Sequence, residues 1–296
     1  MAWLGSICIL MVCAAGIPAA LATDVGNGQN EILRPLDSHL FHSLIRIGTP
    51  VVQPEHTLAL YTTSRYDPDL NKSYSRLLLL DASSGESTPL TPEMEGERIS
   101  SPMWLDQDVA GYVFKGALYQ HNLAPNTNGT LLFNTTVGIS SATYRQETNT
   151  LFFTADVFPD GNISSVPEHK EQERNRRDSA QVFDNLWARH WNKWMTLEKP
   201  NLFAANVPLV ANSSGGEINL MRQLAPIKDP LLRWQVEGYT VSSGGEHAAF
   251  VVRNPGPDVA WSTNVDIYLV ACNSSSSQPK LLTDAYKGIA SNPTFS

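Results

Sequence analysis

Four short hairpins recur along this chain and restrict it to folds that are built from small antiparallel sheets. Each hairpin is an apolar run, a turn of polar residues or glycine, and a second apolar run. They occupy residues 51–61, 103–114, 143–153 and 239–252. A chain with this pattern is expected to be all-β.

A second element follows the hairpins and repeats in the same order. An apolar run at 77–80 leads through a Ser/Gly turn to Leu90-Thr91 and then to Pro102. The run at 267–270 leads in the same way to a Leu-Thr pair at 282–283 and to Pro293. Four-stranded units of this size predict the blades of a β-propeller. A β-sandwich with irregular loops is the alternative, and the constant order of the two elements favours the propeller.

About four to five such blades fit the chain. The third unit is lengthened by an insertion near 168–198, and the last hairpin begins at 293 without its turn. We therefore expect an incomplete propeller with a helical insertion. The insertion begins with a charged run at 168–178, which is typical of a solvated helix face or a loop.

The rest of the insertion, residues 178–194, reads DSAQVFDNLWARHWNKW. Its apolar residues recur at three- and four-residue spacing, which predicts an amphipathic helix of about four turns. Arg189, His190 and Trp191 are candidate substrate-binding residues, because guanidinium and imidazole groups beside indole rings can bind carboxylates or peptide ends. The alternative is that the helix only fills space in the fold and that Arg189 and His190 lie on its solvated edge.

The first 22 residues have the pattern of a secretory signal peptide. An apolar run at 3–22 ends in Ala-Leu-Ala and is followed at once by Thr23. A transmembrane anchor is the alternative, but Gly16 and Pro18 interrupt the run and no basic flank follows it. We expect a secreted, extracellular protein that begins at Thr23, with no membrane association after signal cleavage.

Six Asn-x-Ser/Thr sequons agree with that compartment and predict a glycoprotein. Of the three cysteines, Cys8 and Cys13 belong to the signal peptide, so Cys272 has no partner within the predicted mature chain. It is a buried free thiol, or it forms an intermolecular bond, or it pairs with a segment outside this sequence. The sequons are at Asn71, Asn128, Asn134, Asn162, Asn212 and Asn273.

Several kinds of chemistry are excluded by the sequence. The net charge of −8 and the pI of about 5.3 argue against nucleic acid as a partner. The chain contains no Gly-x-Ser-x-Gly nucleophile elbow, no zinc-ligand spacing, no Walker motif and no Rossmann fingerprint. We therefore predict no catalytic residues, no metal site and no cofactor in this chain.

Together, the Leu-Thr repeats, the 178–194 segment and the hairpin at 239–250 resemble fungal dipeptidyl-peptidase V. More broadly, they resemble the acylaminoacyl-peptidase-like branch of the prolyl oligopeptidase family. The resemblance covers the mature chain, weakly at 23–144 and most specifically at 178–194. It implies an N-terminal propeller that caps a C-terminal α/β-hydrolase domain, in which a Ser-Asp-His triad cleaves the peptide bond.

The resemblance implies three segments: a signal peptide at 1–22, a partial propeller domain at 23–296, and a hydrolase domain that is absent from this chain. The propeller would gate and position peptides for a serine dipeptidyl peptidase, with peptide substrates and the catalytic domain as its partners. By itself the chain should be inactive. The alternatives are a non-catalytic secreted propeller that binds peptides or proteins, and an unrelated all-β module that binds or hydrolyses glycans.

Overall fold

The computed structural model describes most of the chain after residue 35, so the predicted signal peptide lies outside the described residues. Secondary structure is dominated by β-strands. The helices are short: α1 (Ser38–Ser43), α2 (Val166–Arg174) and a 3-10 turn (Gln146–Thr148). In the described part of the chain, no helix has the length and hydropathy needed to cross a bilayer. The described residues are 36–54, 56–180, 183, 188–210, 216–224, 234–253, 255, 259, 261–286 and 288–296.

The first sheet is built around a long antiparallel hairpin, β3 with β4. The strand order is β1-β3-β4-β5, with β2 also paired to β3 and β6 also paired to β4. Val51 of β2 lies opposite Leu60 of β3, as the first predicted hairpin requires. The strands are β1 (Arg46–Ile47), β2 (Val51–Val52), β3 (Leu58–Asp67), β4 (Lys72–Asp81), β5 (Ser87–Pro89) and β6 (Met94–Glu95).

The next two sheets each have four strands in sequence order, the arrangement of a propeller blade. In the second sheet the order is β10-β9-β8-β7, and in the third it is β11-β12-β15-β16. The second contains β7 (Ser100–Asp106), β8 (Val109–Phe114), β9 (Ala117–His121) and β10 (Thr130–Asn134). The third contains β11 (Ser140–Arg145), β12 (Thr150–Val157), β15 (Lys199–Asn206) and β16 (Ile218–Asn219).

A fourth sheet repeats the blade order, and a small hairpin lies inside the insertion. The fourth sheet has the order β17-β18-β19-β20. All four predicted hairpins are present, which confirms the all-β propeller class. The remaining strands are β13 (Arg189–His190), β14 (Lys193–Trp194), β17 (Val236–Val241), β18 (His247–Arg253), β19 (Val265–Ala271) and β20 (Lys280–Leu281).

The described part of the chain divides into two compact units, one within residues 1–115 and 119–130 and one within residues 116–118 and 131–296. Each unit has its own apolar core. That of the first contains Leu60, Leu77, Leu90, Ile99, Trp104, Ala110, Tyr112 and Phe114. That of the second contains Phe152, Leu202, Ala204, Leu220, Met221, Val236, Val241, Ala248, Phe250, Val252 and Val270.

The predicted Leu-Thr element has the same hydrogen bonds in both copies. In the first sheet, Leu90 N donates to Leu77 O at 2.9 Å, and Leu77 N donates to Thr91 Oγ1 at 3.0 Å. In the fourth sheet, Leu282 N donates to Ile267 O at 2.9 Å, and Ile267 N donates to Thr283 Oγ1 at 3.1 Å. The threonine hydroxyl thus takes the place of a backbone carbonyl where the outer strand has ended.

The third sheet holds a third copy of this element that has no threonine. Leu220 N donates to Leu202 O at 2.9 Å, and Leu202 N lies 3.4 Å from Met221 Sδ. The methionine sulfur occupies the acceptor position of the threonine hydroxyl, although it is a weaker acceptor. The element is therefore a repeated way of closing a blade rather than a binding motif.

Thr91→Val should lower the free energy of unfolding of the first unit by about 1–3 kcal/mol. Thr91 is fully buried, so the substitution keeps the shape of the side chain but leaves the Leu77 amide without its acceptor. Urea titration followed by fluorescence would measure the change. Thr130→Val, at an exposed position, is the matched control. Equal stability of the two variants would contradict the role given to the hydroxyl.

Candidate functional site

The segment 178–194, which was predicted as an amphipathic helix, contains a hairpin at residues 189–194. Arg189 pairs with Trp194 and His190 pairs with Lys193 in an antiparallel ladder. Residues 178–180 and 183 are not helical either, and residues 181–182 and 184–187 lie outside the described residues. The helix prediction is wrong for 178–180, 183 and 188–194. The helix of the insertion, α2, ends earlier, at Arg174 within the charged run.

A two-residue turn joins the strands of this hairpin. Trp191 occupies its first position with φ = +54°, a conformation that side chains larger than glycine rarely adopt. The Arg189 Nε donates to Trp191 O at 3.0 Å and holds the turn closed. The same guanidinium lies 5.7 Å from the centroid of the Trp194 ring, within range of a cation–π interaction.

The aromatic side chains of the hairpin face solvent instead of forming a packed stripe. The exposed fraction is 87% for Trp191 and 53% for Trp194. One face of Trp194 is covered by Phe183, whose ring stacks on it at 5.6 Å with an interplanar angle of 18°. The structure thus brings the three candidate residues, Arg189, His190 and Trp191, together at one exposed tip.

A cavity of about 370 Å³ adjoins this hairpin on the side of Phe183. Its walls come from two stretches, one that begins in the last turn of α2 and one after β14. Phe183 both lines the cavity and stacks on Trp194, so it joins the cavity to the hairpin. The lining residues are Glu173, Arg176, Asp178, Ser179, Ala180, Phe183, Met195, Thr196, Leu197 and Glu198.

Charges of both signs surround that cavity. Arg176 Nη2 lies 2.7 Å from Asp178 Oδ1, and Lys170 Nζ lies 2.8 Å from Glu198 Oε1. All four side chains are partly or largely exposed, so the pairs can exchange partners with a ligand at small cost. A guanidinium can receive a carboxylate, and carboxylates can receive an ammonium group. The arrangement suits a short zwitterionic ligand such as a peptide end.

Sequence reasoning missed the lining residues of this cavity. Arg176 and Glu173 belong to the charged run, which was interpreted as a solvated surface. Their side chains are indeed exposed, but the turn after Arg174 folds the run back towards Met195 and Leu197. No spacing pattern in the sequence predicts this change in chain direction.

A second cavity, of about 310 Å³, lies at the start of α2 and contains a structural network. Asp160 accepts hydrogen bonds from Ser165 Oγ and from His169 Nε2, the latter at 3.1 Å. Burial raises the pKa of Asp160, but these hydrogen bonds outweigh it and leave that pKa below its ordinary value. Asn219 Nδ2 donates to Gly161 O at 2.8 Å. The serine, histidine and aspartate here fix the entry to the helix.

The thiol of Cys272 is half-buried and free. It lies 3.9 Å from Val270 O, and burial, together with the charge of Glu246, raises its pKa to about 12. A thiol with this pKa stays protonated at neutral pH and is a poor nucleophile. In the part of the chain that the structure describes, no three His, Cys, Asp or Glu side chains come together as metal ligands.

The consecutive four-stranded sheets place the chain in the β-propeller class. Its fold is similar to that of the acylaminoacyl peptidase of Pyrococcus horikoshii, with a TM-score of 0.51 at 13% sequence identity. That superposition covers 86% of this chain and 34% of the peptidase. No family model matches the sequence.

Curated relatives bear names of one kind of peptidase. The chain is 22% identical over 273 residues to the probable dipeptidyl-peptidase 5 of Emericella nidulans. It is 22% identical over 275 residues to the dipeptidyl-peptidase 5 of Aspergillus fumigatus. Both alignments cover 85% of this chain, which spans only 37% of the length of either relative. The expected resemblance to the propeller portion of these proteins is confirmed.

Proposed function

We propose that this chain is the propeller portion of a secreted serine dipeptidyl peptidase, which releases dipeptides from the amino termini of peptides. The propeller would gate and position peptides for a catalytic hydrolase domain. The observation that carries the proposal is the similarity to dipeptidyl-peptidase 5, which extends over 85% of the chain. The blade order of the sheets supports it, because a propeller is the fold that this similarity requires.

A chimera tests the proposal directly. The matched segment of the Emericella nidulans relative would be replaced by this chain, and hydrolysis of dipeptide-linked chromogenic substrates would be measured. We expect activity from the chimera and none from the isolated chain. A control protein that carries the relative's own segment, rejoined at the same junctions, shows whether the junctions are tolerated. An active control beside a folded but inactive chimera would contradict the proposal.

The exposed hairpin is the part of the propeller portion that we assign to substrate contact. Among the described residues, the Arg189 guanidinium donates a hydrogen bond only to Trp191 O, through Nε, and its terminal nitrogens can receive a carboxylate. The indole of Trp191 offers an apolar face next to that charge. A peptide carboxylate with an adjacent apolar side chain would fit both groups.

In the active chimera, Arg189→Ala should raise KM about fivefold and leave kcat unchanged, because an exposed charge-assisted contact contributes about 1 kcal/mol to ground-state binding. Steady-state kinetics on a series of peptides would measure the change. Arg222→Ala is the matched control, since Arg222 is an exposed arginine that lines the other cavity. An unchanged KM for Arg189→Ala would assign a structural role to the hairpin.

Secretion and N-glycosylation belong to the same proposal. The five sequon asparagines within the described residues, Asn71, Asn128, Asn134, Asn162 and Asn273, are all exposed. The Oδ1 of Asn162 accepts hydrogen bonds from Ser164 N at 3.1 Å and from Ser164 Oγ at 2.8 Å, which orders the sequon. Asn212 lies outside the described residues.

Protein secreted from a eukaryotic host should lose mass on treatment with an N-glycan-removing amidase. Asn162→Gln should remove the mass of one glycan, because that side chain is exposed and its sequon is ordered. Intact mass spectrometry before and after the digestion measures both effects. Asn175→Gln, at an exposed asparagine outside any sequon, is the control. A secreted protein with the mass of the bare polypeptide would refute glycosylation.

A further inference from the structure

Arg176 and Arg177 are the only adjacent pair of lysine or arginine residues in the sequence. A third arginine, Arg174, precedes the pair by two positions, and Asp178 follows it. The resulting Arg-Asn-Arg-Arg-Asp segment is a cluster of charge in a protein that carries few basic residues overall. The substrate contact proposed for Arg189 and Trp191 does not involve this cluster.

The cluster lies at the surface, directly after α2. Residues 171–180 are all exposed, and the chain leaves the helix through a backbone hydrogen bond from Arg176 N to Glu173 O at 3.3 Å. Arg177 forms no ion pair with any other residue that the structure describes. The bond between Arg177 and Asp178 is therefore accessible from solvent in a segment without regular structure.

The neighbouring arginines are held only weakly. Arg174 Nη1 lies 3.1 Å from Glu171 Oε2, and Arg176 Nη2 lies 2.7 Å from Asp178 Oδ1. Both ion pairs are exposed, and exposed pairs are easily replaced by water or by another carboxylate. In α2 the buried residue is Val166 at its start, so the last turn, next to Arg174, can open without exposing core. Residues 174–178 can thus extend into a protease cleft.

We infer that residues 174–178 are a processing site for an endoprotease that recognises paired basic residues in the secretory pathway. The carboxylates of such a protease would pair with the arginine side chains. Hydrolysis breaks the bond between the Arg177 carbonyl carbon and the Asp178 nitrogen. One water supplies the hydroxyl of the new Arg177 carboxyl group and the proton of the new Asp178 amine. The inference rests on the proposed secretion for its cellular setting.

Cleavage here would not separate the two pieces of the protein. The site lies in the connection between β12 and β15, which pair antiparallel from Thr150 with Asn206 to Val157 with Lys199. This ladder, together with the core beneath it, holds the pieces together after the bond is broken. The walls of the cavity beside the hairpin, however, come from both sides of the cut, Glu173 and Arg176 before it and Met195 after it. Cleavage would therefore release one wall from the other and open the cavity.

The test is incubation of the purified, folded protein with a purified kexin-type endoprotease. We expect two fragments on a denaturing gel without reducing agent, a new amino terminus at Asp178, and a single species on native size-exclusion chromatography. Cleavage of denatured protein alone, or cleavage of the folded protein only at other bonds, would overturn the inference. The result does not depend on secretion, so it stands apart from a failure of the proposed function.

Matched variants identify the recognition elements. Arg177→Ala should slow cleavage at least about thirtyfold, because it removes a charge that the protease would desolvate and pair. Arg176→Lys keeps a basic pair and should be cleaved, and Arg98→Ala, at an exposed single arginine, should be cleaved like the parent protein. Brief digestion with trypsin should cut Arg177→Ala first after Arg174 or Arg176, which shows that the variant is folded with its loop exposed. Unchanged cleavage of Arg177→Ala at this site would contradict the inference.

Discussion

Phe250→Ala should lower the free energy of unfolding of the second unit by about 3–5 kcal/mol. Phe250 is fully buried in β18, and its ring stacks on that of Tyr268 at 5.8 Å with an interplanar angle of 14°. Truncation removes apolar burial and leaves a cavity that the neighbouring strands cannot fill. Their backbones are fixed by the β17–β18 ladder, which pairs Val236 with Val252, and by the β18–β19 ladder, which pairs Arg253 with Val265.

Urea titration monitored by fluorescence and by circular dichroism would measure this loss. Trp234 is a suitable reporter, because it contacts Tyr268 in the same core with the rings 5.8 Å apart. Phe295→Ala removes the same ring at an exposed position of the same unit and should change the stability by less than about 0.5 kcal/mol. A similar, small effect of both truncations would show that the fourth sheet has no close-packed core.

The hairpins could be predicted from the sequence because each depends on residues that are close along the chain. The hairpin at 239–252, for example, needs only two apolar runs and a turn with Gly244 and Gly245, and Gly245 indeed adopts φ = +79°. The pairing of the third sheet could not be predicted in the same way. Its strands β12 and β15 are separated by the whole insertion, and no local pattern specifies their register.

The Leu-Thr element was found as a repeat, but its physical role was visible only in the structure. Thr91 and Thr283 both accept a hydrogen bond from a strand amide. The copy at Leu220-Met221 escaped detection because a thioether replaced the hydroxyl, and the two side chains share no pattern that a sequence comparison would recognise. The same acceptor position is thus filled by a hydroxyl in two sheets and by a thioether sulfur in a third.

The helix prediction for 178–194 was wrong over the described residues, because three- and four-residue spacing is a weak signal in a short segment. An isolated helix of this length is marginal in water unless its apolar face is buried. The segment at 189–194 instead uses the strand preference of tryptophan and a two-residue turn. Arg189 and Trp194 meet as cross-strand partners, whereas residues five positions apart do not face each other on an α-helix. Arg189, His190 and Trp191 therefore lie on a hairpin instead of a helix, and their contact with substrate stays a prediction.

Arg145→Met should lower the free energy of unfolding of the second unit by about 3 kcal/mol. At the end of β11, Arg145 Nε donates to Ser242 O at 2.8 Å, and its Nη2 donates to Val241 O at 2.6 Å. Burial lowers the pKa of Arg145, but a guanidinium keeps its proton at neutral pH. The charge therefore joins the third sheet to the turn of the fourth, and methionine would leave both carbonyl groups without this donor.

The position of Arg145 explains why a conservative change should also be costly. Tyr239 lies beside it, and its buried hydroxyl contacts the backbone of the third sheet at Phe152 O, 3.0 Å away. Arg145→Lys keeps the charge but cannot supply two donors in one plane. We therefore expect its free energy of unfolding to lie between that of the parent and that of Arg145→Met. Arg222→Met, at an exposed arginine of the same unit, is the control and should be nearly neutral. If Arg145→Met were equally neutral in urea titration, the hydrogen bonds of Arg145 would make no measurable contribution to holding the third and fourth sheets together.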